Sequence, residues 1–377
     1  MMKREEMSGS TPIRTEPATP TVADVLSREG NSIGFLRLFF ATAVILHHSF
    51  TLRHGVEFDP LGRLTGQLDI GSLAVGAFLM LSGFLISASY EKSATLGEYF
   101  WHRALRLYPG FLVCLLISVG IIGPAAWKIA HGDLNGSWSA EPRPLRYLWS
   151  NSTLWIHQTS MAGLFNANVY PLFNGSLWTL ALEATCYMLL PFLAIAGGLG
   201  RRRWLTAVLW SVGLVWLAHD MGLLPLLGFK IRMFSILKVM MFFASGVLCY
   251  AFRDRIRLVG WLALVASLLL VVSATSKAAG LVVLVALPVV IFWLAVRLPF
   301  RNWERKADLS YGVYVYAFPV QQCLLSAWPT AHPLWIFSVA LGVVLPVAFL
   351  SWFCVEKPSL RWKGALTQRP FSGTVVR

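Results

Sequence analysis

Charge is what this chain has least of. Only 13% of its 377 residues are Asp, Glu, Lys or Arg, where a soluble protein carries about a quarter. Acids are scarcer than bases, 18 against 32. There is no Gly-rich phosphate loop, no internal repeat and no Cys/His set at zinc spacing, so nucleotide-triphosphate hydrolysis, a solenoid and a zinc domain are all set aside, and no metal is expected. The five cysteines (Cys114, Cys186, Cys249, Cys323 and Cys354) all fall in apolar stretches, which reads as free thiols without disulfides. Residues 1–30 are polar and rich in Pro, Thr and Ser. No apolar core follows their early basic residues, so they read as a disordered tail and not as a signal peptide.

What fills the chain is hydrocarbon. Hydrophobic residues make up 56% of it, and they come in blocks of about twenty, the length that spans a ~30 Å bilayer core. Ten such blocks predict spans at 33–52, 71–90, 108–126, 175–197, 203–219, 234–252, 257–274, 278–296, 309–328 and 334–355. Backbone groups in lipid must be satisfied within their own segment, so the spans are helices. The expected fold is therefore an all-α membrane protein of about ten transmembrane helices over residues 31–358. One long connection, 127–174, would lie on the outer side, and 359–377 would form a C-terminal tail. Most Lys and Arg fall in the N-terminal tail, the even-numbered connections and the C-terminal tail, including Arg201-Arg202-Arg203. The positive-inside rule then places both termini in the cytoplasm. This asymmetry accounts for the net charge of +14 without a nucleic-acid partner, and leaves the lipid bilayer as the surrounding medium.

Within this apolar setting the first span carries Arg37, His47 and His48. At 100° and ~1.5 Å per residue, the eleven steps from Arg37 to His48 make three turns plus about 20°, with a rise of ~16 Å. The two share one stripe at opposite depths, while His47 is rotated away and reads as a packing residue. An arginine near a helix end can snorkel, but two ionisable groups on one stripe describe a polar seam, and such groups mark functional sites. Glu183, mid-span in the fourth block, is the second costly residue and needs a partner. Arg103 and Arg106, three apart, share a helix face and form a fork suited to phosphate oxygens, with ordinary inward-side charge the plainer role for both. Pro109 after them suits the start of the third span.

These residues resemble the membrane-bound acyltransferase-3 family, bacterial O-acyltransferases of cell-surface and exported glycans. Its first helix carries a basic residue, ten residues and a histidine, here Arg37-X10-His48. The resemblance continues in order through "FLMLSGFLI" (78–86), "RALRLYP" (103–109), "GSLWTLALEATCYMLLP" (175–191), "LSYGVYVYAFPV" (309–320) and "VEKPSLRW" (355–362). Family members often carry His two residues before the proline of the ninth-span segment. This chain has Ala317 there, so no role tied to that histidine carries over.

The resemblance implies acyl transfer, usually acetyl, from cytoplasmic acyl-coenzyme A as co-substrate to a hydroxyl of a surface or exported glycan or its lipid-linked precursor, in a bacterial cytoplasmic membrane. Such transfer needs a base and oxyanion stabilisation. His48 is the expected base, or the carrier of an acyl-imidazole. Glu183 is expected to orient His48 or hold the acceptor, with a structural ion pair as its plainer role. Arg37 would line the donor's path, and Arg103 and Arg106 would hold its phosphates. Trp178, Ser310 and Tyr311 are the candidate acceptor contacts, with interfacial anchoring the plainer role for Trp178. Ser82 and Gly83 read as close helix packing, and Glu356-Lys357 as a local ion pair ending the last span. The alternative from another class is a polar-solute transporter or flippase using Arg37, His48 and Glu183 as a relay. Transporters often show repeats and paired broken helices, and neither is evident here. Nothing in the sequence assigns an oligomeric state.

Overall fold

The structure, a computed structural model, describes residues 19–26, 30–223, 234–301 and 303–365. Among them there is no strand, only helices and connections. The apolar blocks become α1 (Ile33–His54), α2 (Ile70–Lys92), α3 (Leu96–Ile117, running through a π turn at Ser118–Ile122 into Gly123–His131), α4 (Trp178–Ile195), α5 (Arg203–Asp220), α6 (Phe234–Ala251), α7 (Gly260–Ser273), α8 (Ala279–Arg297), α9 (Ser310–Ala327) and α10 (Pro333–Ser351, continuing through a π turn at Trp352–Glu356 into Lys357–Arg361).

Six of these are long and apolar enough to cross a membrane: α1, α2, α3, α4 with the turn before it, α8 and α10 with its extension. Two more, within α6 and α7, are apolar but shorter. The outward faces are hydrocarbon, with Phe192, Ile195, Val271, Val272 and Leu350 exposed, a surface that a water-soluble protein does not carry.

The low hydropathy of α9 has a structural cause. It packs between α1 and α10, and its amides are spent inside the protein. Gln321 Nε2 donates to the Ile45 carbonyl at 2.8 Å and to Ser49 Oγ at 2.7 Å. Gln322 Nε2 donates to the carbonyls of Tyr170 and Leu172, each at 2.7 Å. A helix wrapped in protein does not need an apolar surface all round. The tightest pairing is α2 against α6, where Gly83 meets the Phe243 carbonyl and Gly246 meets the Met80 carbonyl. A side chain at either glycine would strike backbone, so small residues set this crossing.

Several expectations are corrected. Pro109 lies inside α3, which starts thirteen residues earlier at Leu96. Thr95 Oγ1 accepts from the Glu98 N–H at 3.1 Å, and Glu98 Oε2 accepts from the Ala94 N–H at 2.8 Å. This capping pair decides the helix start, and the proline is absorbed within the bundle. Within residues 19–26, expected in the disordered tail, Val22–Leu26 form a short 3₁₀ turn with Val22 and Val25 buried, and the Val22 N–H donates to the Ile256 carbonyl at 2.9 Å. The rest of that tail up to residue 18, and residues 366–377 of the C-terminal tail, lie outside the described residues. Glu356 does not end α10. The π turn carries it inward, where it is buried and accepts from Ser351 Oγ at 3.0 Å.

The 127–174 connection is folded. Asn151 binds the backbone of His157 and Gln158, and Tyr147, Met161 and Phe173 are buried. Asn174 Nδ2 reaches the Val315 carbonyl of α9 at 2.9 Å. Trp138, Trp149 and Trp155 stay exposed.

Candidate active site

Arg37 and His48 open onto two different cavities, as their separation along α1 requires. The first, about 310 Å³, is lined by Arg37, Arg103, Arg106 and Lys363 together with Glu183 and Asp308. The second, about 370 Å³, is lined by His47, His48, Asp69, Trp178 and Lys238. They are called here the arginine cavity and the histidine cavity.

The arginine cavity is organised by Asp308, which stands just before α9. Arg37 Nη1 reaches its Oδ2 at 2.9 Å, Arg106 pairs with the same oxygen, and Ser310 Oγ donates to Oδ1 at 2.6 Å. Burial alone would raise the Asp308 carboxyl. The two guanidiniums and these hydrogen bonds outweigh it and hold the group below the usual carboxylate range. Sequence reasoning missed Asp308, although an acid at a helix start beside basic residues ("RKADLS") was a visible counter-ion for Arg37.

Arg103 sits apart from this triad. Its Nη2 donates to Ser89 Oγ at 3.1 Å, while its Nε is buried without a partner. Lys363 adds a fourth cation, brought in by the 3₁₀ turn Trp362–Ala365 that prolongs the extension of α10. Trp101 Nε1 holds that extension at the Trp362 carbonyl, 3.0 Å away. Four cationic side chains therefore face two carboxylates, an excess that suits a polyanionic ligand.

Glu183 lies in the same arginine cavity and not beside His48. Its Oε1 accepts from Ser82 Oγ at 2.6 Å and from the Tyr187 hydroxyl. Two hydroxyl donors, one turn apart on α4 and across on α2, supply the partners that a mid-span carboxylate needs. The carboxylate thus stands away from both imidazoles, and Ser82 is one of its ligands as well as part of the α2 packing face. Ser310 and Tyr311 are also here, with Tyr311 OH donating to the Leu107 carbonyl at 2.8 Å. Of the three acceptor candidates, only Trp178 lines the histidine cavity.

In the histidine cavity both imidazoles are present, their ring centres 5.4 Å apart. The rotation that separates them along α1 does not remove His47 from the site, because Gly71 of α2 leaves room for its ring. A Cβ at Gly71 would sit 2.5 Å from His47 Cδ2. His47 Nδ1 is 2.8 Å from Asp59 Oδ2. Asp59 is fully buried and also accepts from the N–H groups of Gly62, at 2.8 Å, and Ile70. Burial opposes its charge, yet these hydrogen bonds bring the carboxyl below its ordinary range. His48 packs its ring edge-on to Phe318, and its Nδ1 is buried without a hydrogen-bond partner. Lys238 of α6 and Asp69, which caps α2 through the Ser72 N–H at 2.6 Å, complete the polar lining. Among the described residues no group of three or more His, Cys, Asp or Glu is placed to hold a metal ion.

A cationic cavity sharing a wall with one that holds two imidazoles is an arrangement suited to moving a group between a polyanionic carrier and a nucleophile that must lose a proton. The family described as Acyltransferase domain matches residues 31–353, most of the chain. The chain belongs to the acyltransferase-3 family. Among curated relatives of this acyltransferase, "Nodulation protein 10" of Rhizobium leguminosarum bv. viciae is 27% identical over 372 residues, covering 91% of this chain and 96% of the relative. An "O-acetyl transferase" of Shigella phage Sf6 is 26% identical over 343 residues, covering 87% of this chain and 96% of the relative. No solved structure matches the chain.

Proposed function

We propose that this acyltransferase is a multi-pass O-acyltransferase of a bacterial cytoplasmic membrane. It moves an acyl group, acetyl in the simplest case, from acyl-coenzyme A to a hydroxyl of a surface or exported glycan or its lipid-linked precursor. The observation that carries this reading is the pair of adjoining cavities, one rich in cations and one holding two imidazoles. With ten spans and both termini inside, the arginine cavity faces the cytoplasm and the histidine cavity faces outward. Arg103, Arg106 and Lys363 then hold the phosphates of coenzyme A, and its thioester arm reaches along the seam toward the histidines.

Chemistry follows at the junction. His48 takes the proton of the acceptor hydroxyl, whose oxygen bonds to the thioester carbonyl carbon. The carbon–sulfur bond breaks, and the coenzyme A thiolate leaves and takes up the proton that the imidazole holds. His47 is a second candidate base, favoured by the Asp59 carboxylate behind its Nδ1, the arrangement in which a carboxylate fixes an imidazole's tautomer and orientation.

The test is acyl transfer in membranes carrying the protein. Labelled acetyl-coenzyme A is supplied on the cytoplasmic side and the host's glycans serve as acceptor, with wild type compared to His48→Ala and His47→Ala at matched expression. Loss in His48→Ala with transfer retained in His47→Ala is expected. The reverse pattern would assign the base to His47. No transfer by wild type from acetyl or longer acyl donors would remove the enzyme reading in favour of transport.

A further inference from the structure

The arginine cavity and the histidine cavity have three lining residues in common: Val75, Thr179 and Tyr314. This inference rests on the two-cavity reading given above. If the acyl carrier lies in one cavity and the accepting hydroxyl in the other, the acyl carbon is attacked where the two meet. Reacting atoms must come within about 3–3.5 Å of each other, so the carbonyl sits against this shared wall. Val75 offers it only methyl groups. Thr179 and Tyr314 offer hydroxyls.

Those hydroxyls form a small relay. Tyr314 OH and Thr179 Oγ1 are 2.6 Å apart. Both also reach the Ser176 carbonyl, Thr179 Oγ1 at 3.1 Å and Tyr314 OH at 3.2 Å. The pair has two protons to place, on each other or on Ser176. If Thr179 donates to Ser176 and Tyr314 to Thr179, the tyrosine proton is the one that can turn away without leaving a buried donor unpaired. The Tyr314 ring is steadied edge-on by Phe78 at 5.9 Å, so its hydroxyl stays at the junction.

We infer that Tyr314 is a catalytic residue, its hydroxyl swinging from Thr179 to donate a hydrogen bond to the carbonyl oxygen of the transferring acyl group. The tetrahedral oxyanion is stabilised as the acceptor oxygen adds, and the bond is returned to Thr179 when the carbon–sulfur bond breaks. Thr179 is a positioning residue that holds the tyrosine in register between turnovers.

The test compares steady-state transfer from acetyl-coenzyme A by wild type, Tyr314→Phe, Thr179→Val and Val75→Phe in the same membranes. Tyr314→Phe keeps the ring and its packing against Phe78. It is expected to lower kcat on the order of 10²–10³-fold, the usual cost of one oxyanion donor, with the donor KM changed by no more than about threefold. Thr179→Val should lower kcat less, and Thr179→Ser should restore it, which loss of packing alone would not predict. Val75→Phe fills the junction and should abolish transfer while coenzyme A still stabilises the protein against heat. Full kcat in Tyr314→Phe, or wild-type transfer in Val75→Phe, overturns the inference. Absence of transfer by wild type itself would instead remove the enzyme reading beneath it, and the inference with it.

Discussion

Replacing Asp308 by Asn removes the carboxylate on which Arg37 and Arg106 converge. At a charge separation of ~4 Å and an effective dielectric constant of ~20, each attraction is about 4 kcal/mol. Arg37 Nη1 lies 2.9 Å from Oδ2 and Arg106 pairs with that same atom. The two guanidinium nitrogens are therefore no more than about 6 Å apart, where their repulsion is roughly 3 kcal/mol at the same dielectric constant. With the carboxylate present, attraction exceeds repulsion by about 5 kcal/mol before desolvation; without it, only the repulsion remains. Desolvation of the three charges offsets much of the gross figure, and breaking one partner out of a buried pair typically costs about 3–5 kcal/mol. Against a total stability of about 5–15 kcal/mol, that is a large share. Thermal unfolding in detergent or nanodiscs at pH 7 should show Asp308→Asn melting well below wild type, and Arg37→Met/Asp308→Asn recovering part of the loss because one cation is gone. The sign of the pH dependence follows from the depressed folded pKa. The contribution is fully present above the unfolded value of about 3.9 and is lost as pH falls through the folded value. The gap between variant and wild type should stay level from about pH 5 to 8 and narrow in stronger acid. Equal melting at pH 7, or a gap that widens on acidification, would refute the triad.

Lys363→Met should raise the donor KM about tenfold with little change in kcat, equivalent to about 1.4 kcal/mol of binding; an unchanged KM in steady-state assays would take Lys363 off the donor's phosphates. Gly246→Ala should cost about 1–3 kcal/mol, because its methyl meets the Met80 carbonyl. Gly342→Ala, whose methyl meets nothing within 4 Å, should melt like wild type, and equal yields of folded protein from the two would contradict the crossing geometry. Asp59→Asn should destabilise the protein by about 1–3 kcal/mol at neutral pH, through the lost pairing with His47 and weaker acceptance from Gly62 and Ile70. Since the Asp59 carboxyl is depressed, that difference should be complete above the ordinary carboxylate range and disappear as pH falls below it, as melting curves across pH would reveal.

The sequence carries different parts of this molecule with unequal clarity. Apolar blocks located every long helix, because burial in hydrocarbon is a property of a segment by itself. The start of α3 was misread at Pro109, where a proline rule for helix beginnings competed with the Thr95–Glu98 capping pair and lost. The block at 309–328 located α9, but not how its amides are satisfied: Gln321 and Gln322 are polar, and only their partners on α1 and the long connection make them cheap to bury. The same division runs through the site. Rotation along α1 sets Arg37 and His48 on one stripe at different depths, since both lie on one helix, and the two line different cavities. It set His47 apart as a packing residue, yet His47 lines the same cavity as His48, because the direction a residue points says nothing of the space left beside it, and Gly71 supplies that space from another helix. The Arg37–Asp308 pair spans 271 positions, beyond any periodicity argument. A charge ledger would have reached it. An arginine inside an apolar helix requires an acid, the chain has only 18, and few of them stand at the edge of an apolar block. Asp308, immediately before the ninth, is one of those few. For chains of this kind the question to put to each intramembrane charge is which of the scarce opposite charges sits at a helix end of matching depth.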